Sequence, residues 1–222
     1  MQVNMGNHGG HMAALFDLDG VIVDTEGDYS LFWKRIGQRY FPQQPTFDVD
    51  IKGSTLKEIL KKYFENDEAQ VAEINRSLSA LEQSMSYTYI KGVTDFLKEL
   101  ASEGVKTAIV TSSNQKKMAQ VRRVHPELVE QFDCVLTAED FSRSKPDPDC
   151  YLKAGERLET EKSRCLVFED SRNGLLAGRH AGMKVVGLAT TLPEREVDEL
   201  ADVTISDFRG FDMKKLAQIL SW

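Results

Sequence analysis

Six short apolar runs, rich in β-branched residues and separated by amphipathic segments, constrain the fold of this chain more than any other feature. Their positions are 13–16, 107–110, 134–136, 166–168, 185–188 and 203–205. Between the runs the apolar residues keep helical spacing, as in Val93, Phe96, Leu97 and Leu100, which precede the second run. This alternation is typical of βαβ units around a parallel sheet. The sequence therefore predicts an α/β fold, with a Rossmann-like parallel sheet core flanked by helices.

A long segment after the first predicted strand differs from the rest of the chain. It contains no convincing strand, and its apolar residues recur at helical spacing, as in Leu56, Ile59, Leu60 and Tyr63. Because one predicted strand precedes this segment and five follow it, we interpret it as a helical cap inserted into the core. The predicted parts are a flexible N-terminal tail (1–12), an α/β catalytic core (13–28 and 90–222) and the helical cap (29–89).

Charge and the lack of an export signal restrict the expected partners and location. Of 222 residues, 28 are Lys or Arg and 35 are Asp or Glu, giving a net charge of −7, which disfavours binding to nucleic acids or anionic membranes. The opening residues lack the basic and apolar regions of a signal peptide. The three cysteines are odd in number and lack metal-ligand spacing. We therefore expect a cytoplasmic monomer that binds neither nucleic acid nor membrane.

Acidic residues follow two of the predicted strands at the point where each strand ends. Asp17 and Asp19 come after the run 13–16, and Glu169 and Asp170 come after the run 166–168. In open parallel sheets ligands bind outside the carboxyl ends of the strands, so these carboxylates are expected to converge. An isolated Asp after a strand would more often cap the next helix. Two converging clusters repel each other unless a cation neutralises them, and Mg²⁺ prefers such oxygen ligands.

Two further groups follow strand ends and fit the same site. Thr111, Ser112 and Asn114 come after the run 107–110, where hydroxyls and backbone N–H groups at a helix start form a phosphate cradle. Lys145 precedes a Pro-Asp-Pro turn, and its ammonium could neutralise Asp17 and contact phosphoryl oxygens. Alone, the first group is an ordinary helix cap and the second a solvated lysine. The combination is what indicates a phosphoryl-transfer site.

Four motifs in this order resemble the haloacid dehalogenase (HAD) superfamily, in its β-phosphoglucomutase-like branch. The motifs are DLDGVIVDTE at 17–26, VTSSN at 110–114, SKPDPD at 144–149 and FEDSRNGLLAG at 168–178. The branch carries a helical cap between its first two motifs. The resemblance spans the chain from about residue 13 onward and implies a phosphotransferase.

The resemblance also implies a role for each motif residue. Asp17 is expected to attack phosphorus and form an aspartyl-phosphate, and Asp19 to protonate the leaving oxygen and later activate water. Thr111 and Lys145 are expected to bind the phosphoryl group. The residues implied as holding Mg²⁺ are Asp17, the Asp19 backbone carbonyl, Asp170, and Glu169 directly or through water.

The cap bears on the choice between a phosphatase and a mutase. Where the mutases carry an arginine in the cap loop this chain has Leu56, and where they carry a histidine after the first motif it has Tyr29. Lys52, Gly53 and Lys57 are candidate substrate-binding residues, although both lysines could equally be solvated. We therefore predict a Mg²⁺-dependent phosphatase acting on a small phosphorylated metabolite, a sugar or polyol phosphate. The alternatives are a β-phosphoglucomutase-type mutase and, less favoured, a non-catalytic binding relative.

Overall fold

Six parallel strands form the central sheet, and two further strands form a short ribbon. The computed structural model describes residues 11–220. The strands are β1 (Ala13–Phe16), β2 (Val23–Asp24), β3 (Thr88–Tyr89), β4 (Lys106–Val110), β5 (Cys134–Leu136), β6 (Cys165–Glu169), β7 (Lys184–Leu188) and β8 (Val203–Ile205). The sheet order is β5-β4-β1-β6-β7-β8, and β2 pairs with β3 in an antiparallel ribbon. The predicted α/β fold with a parallel sheet is confirmed.

Helices cover both faces of this sheet and build the cap. They are α1 (Glu26–Tyr40), α2 (Phe47–Asp50), α3 (Leu56–Phe64), α4 (Glu68–Ser84), α5 (Val93–Ser102), α6 (Gln115–Val124), α7 (Pro126–Glu130), α8 (Asp149–Arg157), α9 (Arg172–His180), α10 (Glu194–Asp198) and α11 (Met213–Leu220), with a 3₁₀ turn at Lys162–Arg164. None of the helices within residues 11–220 combines the length and the apolar character that crossing a membrane requires.

The core of the sheet is divided between its two faces, because successive strand residues point in opposite directions. Along β1, Ala14 and Phe16 belong to the apolar cluster on one face, and Ala13 and Leu15 to the cluster on the other. The ring of Phe16 stacks on Phe168 of the neighbouring strand, with centroids 4.4 Å apart. All of these strand residues are buried. The central strands β1 and β6 are therefore packed on both faces, and this packing fixes the point from which the residues after them start.

Four helices, α1 to α4, occupy the segment predicted as a cap and share their own apolar core. Its buried members include Trp33, Phe47, Ile59 and Ile74. Helix α1 begins at Glu26, three residues before the predicted cap boundary, and the β2–β3 ribbon joins the two chain crossings between core and cap. The prediction that this segment contains no strand is wrong for β3, since a two-residue strand is too short to leave a pattern.

The predicted tail, 1–12, lies outside the described residues except for its last two. Of these, Met12 packs against the apolar core, and its carbonyl accepts a hydrogen bond from Lys106 N at 3.0 Å. The backbone pairing of the central sheet thus reaches one residue before β1.

Candidate active site

The carboxyl ends of β1 and β6 bring the two acidic clusters together. The strands pair in parallel with Phe16 opposite Phe168, and Asp17 N donates to Phe168 O at 3.0 Å. Carboxylate oxygens of Asp17, Glu169 and Asp170 lie within 4.8 Å of one another, and all three residues are buried. Register between adjacent strands is therefore what places residues 152 or more positions apart at one site.

Lys145 supplies the positive charge at the centre of this cluster. It is 2% exposed, and its Nζ donates to Asp17 Oδ1 at 2.6 Å, to Glu169 Oε1 at 2.6 Å and to Val110 O at 3.1 Å. Three acceptors match the three protons of an ammonium. The side chain is thus fixed between the two carboxylates, with no proton left unpaired.

Glu169 belongs to the carboxylate cluster, but protein donors already satisfy both of its oxygens. Besides Lys145, Oε1 accepts from the Tyr151 hydroxyl at 2.9 Å. Oε2 accepts from Asp170 N at 3.0 Å and from Ser171 N and Oγ at 3.1 Å. Because protein donors occupy both oxygens, Glu169 fits a water-mediated metal contact better than a direct one. Tyr151, which the sequence did not single out, orients this carboxylate.

The electrostatics of the cluster favour a bound cation. Burial raises the pKa of Asp17 to about 7, because it outweighs the lowering by Lys145, and Glu169 raises it further. Burial also raises the pKa of Asp170 well above its ordinary value, with Glu169 adding to the effect. One ammonium does not neutralise three buried carboxylates. A hard divalent cation with oxygen ligands would relieve the repulsion, so the donor set fits Mg²⁺.

Gly20 allows the loop after β1 to pass close to this cluster. Its φ of +75° lies in the left-handed region, and a Cβ placed there would lie 2.0 Å from Asp170 Oδ2. Only glycine accommodates both the backbone conformation and the contact. The backbone at Gly20 therefore packs directly against the Asp170 carboxylate.

Asp19 lines the same cavity as Asp17 but has different partners. Its two carboxylate oxygens lie 2.5 Å from Lys117 Nζ, and they accept hydrogen bonds from Thr25 Oγ1 at 2.5 Å and Ser113 Oγ at 3.0 Å. Burial acts to raise the pKa of Asp19, but Lys117 and the two hydroxyls outweigh it, and the pKa is lowered. Asp19 is therefore held as an anion.

Lys117 is the main site residue that the sequence did not identify. It is 3% exposed, and its ammonium also lies 4.1 Å from the centroid of the Tyr29 ring. Asn114 caps α6 by accepting from Lys117 N at 2.9 Å, which fixes the turn that carries the lysine. A signal was present: Lys117, Val121 and Val124 are spaced i, i+4, i+7, so the lysine shares the apolar face of its helix.

A cavity of about 150 Å³ opens between the core and the cap. The predicted site residues that line it are Asp17, Asp19, Lys52, Gly53, Thr111, Ser112, Asn114, Lys145 and Asp170. Leu56 and Tyr29 line it as well. Lys57 is exposed on α3 and lies outside the lining, so the structure does not bring it together with the other predicted site residues.

Direct contacts between cap and core close one side of this cavity. Ser112 Oγ donates to Gly53 O at 2.9 Å, and Asn173 Nδ2 donates to Lys52 O at 2.6 Å. A Cβ on Gly53, whose φ is +79°, would lie 2.6 Å from Asn173 Cβ. The Lys52 ammonium pairs with Glu26. Ser112, Gly53 and Lys52 thus join the two parts of the chain, and the charge of Lys52 is already compensated.

Comparison with known proteins identifies a family and relatives for this chain. The family model described as haloacid dehalogenase-like hydrolase matches residues 14–188. The validoxylamine A 7'-phosphate phosphatase of Streptomyces hygroscopicus subsp. limoneus is 31% identical over 206 residues, covering 89% of this chain and 94% of that protein. The β-phosphoglucomutase of Bacillus subtilis is 27% identical over 211 residues, covering 87% and 92%.

A solved structure supports the fold. The HAD hydrolase, family IA, variant 3 of Entamoeba histolytica superposes with a TM-score of 0.80 at 19% identity, over 95% of this chain and 100% of that one. At this level of identity the likeness concerns the fold alone.

Proposed function

The chain belongs to the haloacid dehalogenase-like hydrolase family as a phosphoric monoester hydrolase, and we propose that it hydrolyses a small sugar or polyol phosphate through a phosphoryl ester on Asp17. The observation that carries the proposal is the position of Asp17. Its carboxylate lines the cavity, one oxygen is 2.6 Å from the Lys145 ammonium, and Asp170 lies beside it. Within residues 11–220 no hydrogen bond reaches its other oxygen, Oδ2, which leaves that atom available to a ligand.

The reaction divides into two steps that share the same groups. In the first, an oxygen of Asp17 bonds to phosphorus, the bond from phosphorus to the substrate oxygen breaks, and that oxygen takes a proton from Asp19. In the second, Asp19 takes a proton from water, the water oxygen bonds to phosphorus, and the bond to Asp17 breaks. The products are an alcohol and phosphate, and both aspartates return to their starting states.

Asp19 suits the second step as it is found, since its lowered pKa keeps it anionic. The first step needs it protonated. A substrate phosphate competes with Asp19 for the Lys117 ammonium, and an Asp19 carboxylate released from that ammonium has a higher pKa. We therefore assign the acid and base roles to Asp19 and the control of its charge to Lys117.

Thr111 is proposed to donate a hydrogen bond to the transferring phosphoryl group. Lys145, whose protons are taken up by Asp17, Glu169 and the Val110 carbonyl, is proposed to bind this group through its positive charge. Thr111 is buried, and its Oγ1 accepts from Ser113 N at 3.0 Å, which leaves the hydroxyl proton free to donate. Fixed donors of this kind stabilise charge on phosphoryl oxygens without having to reorganise.

Mg²⁺ is proposed to be held by Asp17, Asp170 and the backbone carbonyl of Asp19, with Glu169 acting through water. When bound, Mg²⁺ supplies positive charge that offsets the negative charge of the phosphoryl oxygens. The protein's part is to keep the carboxylates buried and correctly spaced.

A phosphoglucomutase-type activity is the second candidate, because one relative carries that name. A mutase holds a bisphosphorylated intermediate, which needs a cationic group in the cap for the distal phosphate. Here Leu56 and Tyr29 line the cavity at the two positions where the mutases carry an arginine and a histidine. This favours hydrolysis. Intact Asp17 and Lys145 also argue against a non-catalytic relative.

A panel of phosphorylated metabolites, assayed for phosphate release with Mg²⁺ or with chelator, tests the proposal. Sugar and polyol monophosphates should release phosphate only with Mg²⁺, and Asp17→Asn should release none. Incubation with β-glucose 1-phosphate and a trace of glucose 1,6-bisphosphate separates the two candidates: glucose 6-phosphate accumulates with a mutase, free phosphate with a phosphatase. Metal-independent turnover, or turnover by Asp17→Asn in a clean preparation, would contradict the mechanism.

A further inference from the structure

Glu82 places a buried carboxylate on the cap side of the cavity, and the proposed mechanism does not use it. It lies near the end of α4, four residues after Leu78, on the face that otherwise packs into the cap core. Its exposure is only 7%, and it lines the cavity. The Tyr29 hydroxyl donates to its Oε1 at 3.1 Å. Within the described part of the chain, Oε2 has no hydrogen-bond donor.

Because Glu82 lines the cavity and no described residue donates to its Oε2, a ligand that enters the cavity can donate a hydrogen bond to this oxygen. Burial raises the pKa of Glu82, and the Lys117 ammonium only partly opposes this. Lys117 itself is engaged by Asp19. A donor that enters the cavity would complete the hydrogen bonds of Glu82.

The other charges around the cavity leave no unpaired cation, among the described lining residues, for a second phosphate. Among the described lining residues, the three ammonium groups are all paired: Lys52 with Glu26, Lys117 with Asp19, and Lys145 with Asp17 and Glu169. Asp48 also lines the cavity and makes no ion pair with any described residue. The cap side of the cavity is therefore acidic.

We propose that Glu82, positioned by Tyr29, determines substrate specificity by accepting a hydrogen bond from a hydroxyl of the substrate's carbon body and by repelling a second phosphate. The inference rests on the proposed phosphatase function and narrows its substrate class to polyhydroxylated monophosphates. A carboxylate accepts from hydroxyls with both oxygens, whereas it repels a phosphate dianion in a site of low dielectric. The same group thus favours one class of substrate and excludes the other.

The test compares glucose 6-phosphate with glucose 1,6-bisphosphate, which share a carbon skeleton and differ by one phosphate. The wild type should show a kcat/KM for the monophosphate at least about tenfold higher. Glu82→Gln keeps the size of the side chain and removes its charge, so it should narrow this ratio at least about fivefold. The control is Glu73→Gln on the same helix, a partly exposed residue paired with Arg39, which should keep the wild-type ratio.

Each remaining outcome decides a different part of the inference. A wild type that prefers the bisphosphate, or a folded Glu82→Gln with the wild-type ratio, overturns the role of Glu82. If circular dichroism shows that Glu82→Gln is unfolded, Tyr29→Phe is used as the test variant. The proposal is then overturned if Tyr29→Phe narrows the ratio of the two kcat/KM values by less than about twofold. A wild type that hydrolyses no monoester, p-nitrophenyl phosphate included, overturns the phosphatase function instead.

Discussion

Replacing Asp17 with asparagine should change how the stability of the metal-free protein depends on pH. Burial raises the pKa of Asp17 to about 7 from an ordinary 3.8, so the folded protein binds this proton more tightly than the unfolded chain does. Protonated Asp17 therefore contributes stability that is fully present below about pH 4 and is lost as the pH rises through about 7. Three pH units at about 1.4 kcal/mol each correspond to about 4 kcal/mol of unfolding free energy.

Asparagine has nearly the same size and does not ionise. The variant should therefore match the wild type at about pH 4 and exceed it by up to about 4 kcal/mol at about pH 8. Urea unfolding followed by circular dichroism, with chelator present, measures both curves. Added Mg²⁺ should stabilise the wild type more than the variant at the higher pH. Asp95→Asn, which alters an exposed aspartate of α5, should follow the wild type. Parallel curves for Asp17→Asn and the wild type across this range would refute the reasoning.

Three other substitutions test the surroundings of the cluster. Lys145→Met leaves two buried carboxylates without their shared ammonium. It should lower the free energy of unfolding, measured with urea, by about 3–5 kcal/mol and should abolish phosphate release. A decrease below about 1 kcal/mol would contradict the buried pairing. Lys117→Met should move the acidic limb of the pH profile of kcat upward by about one to three pH units, because Asp19 loses the charge that lowers its pKa. An unchanged acidic limb would show that Lys117 does not control the pKa of Asp19. Gly20→Ala should lower the free energy of unfolding by about 1–2 kcal/mol, because alanine is strained in the left-handed backbone conformation. Its Cβ should also displace Asp170 and weaken activation by Mg²⁺. A wild-type affinity for Mg²⁺, measured by calorimetry, would contradict the displacement of Asp170.

Local patterns in the sequence were sufficient to predict the strands of the sheet and the two acidic clusters that follow strand ends. The predicted runs 13–16, 134–136 and 203–205 coincide with strands, and the run 107–110 starts one residue late because Lys106 pairs with Ala13 across the sheet. Periodicity reports which residues are buried within one element. It also places strand ends at one edge, because parallel strands share their direction.

The partners of each site side chain were decided by the tertiary structure alone. Lys117 meets Asp19 across 98 positions of sequence, and Lys145 meets Asp17 across 128. Glu82 belongs to an apolar helix face yet reaches the cavity. Such contacts depend on how whole elements pack, and no local pattern encodes them. The sequence was therefore sufficient to predict the residue types of the site. Its charge pairing depends on how cap and core pack around one cavity, so only the tertiary structure decides it.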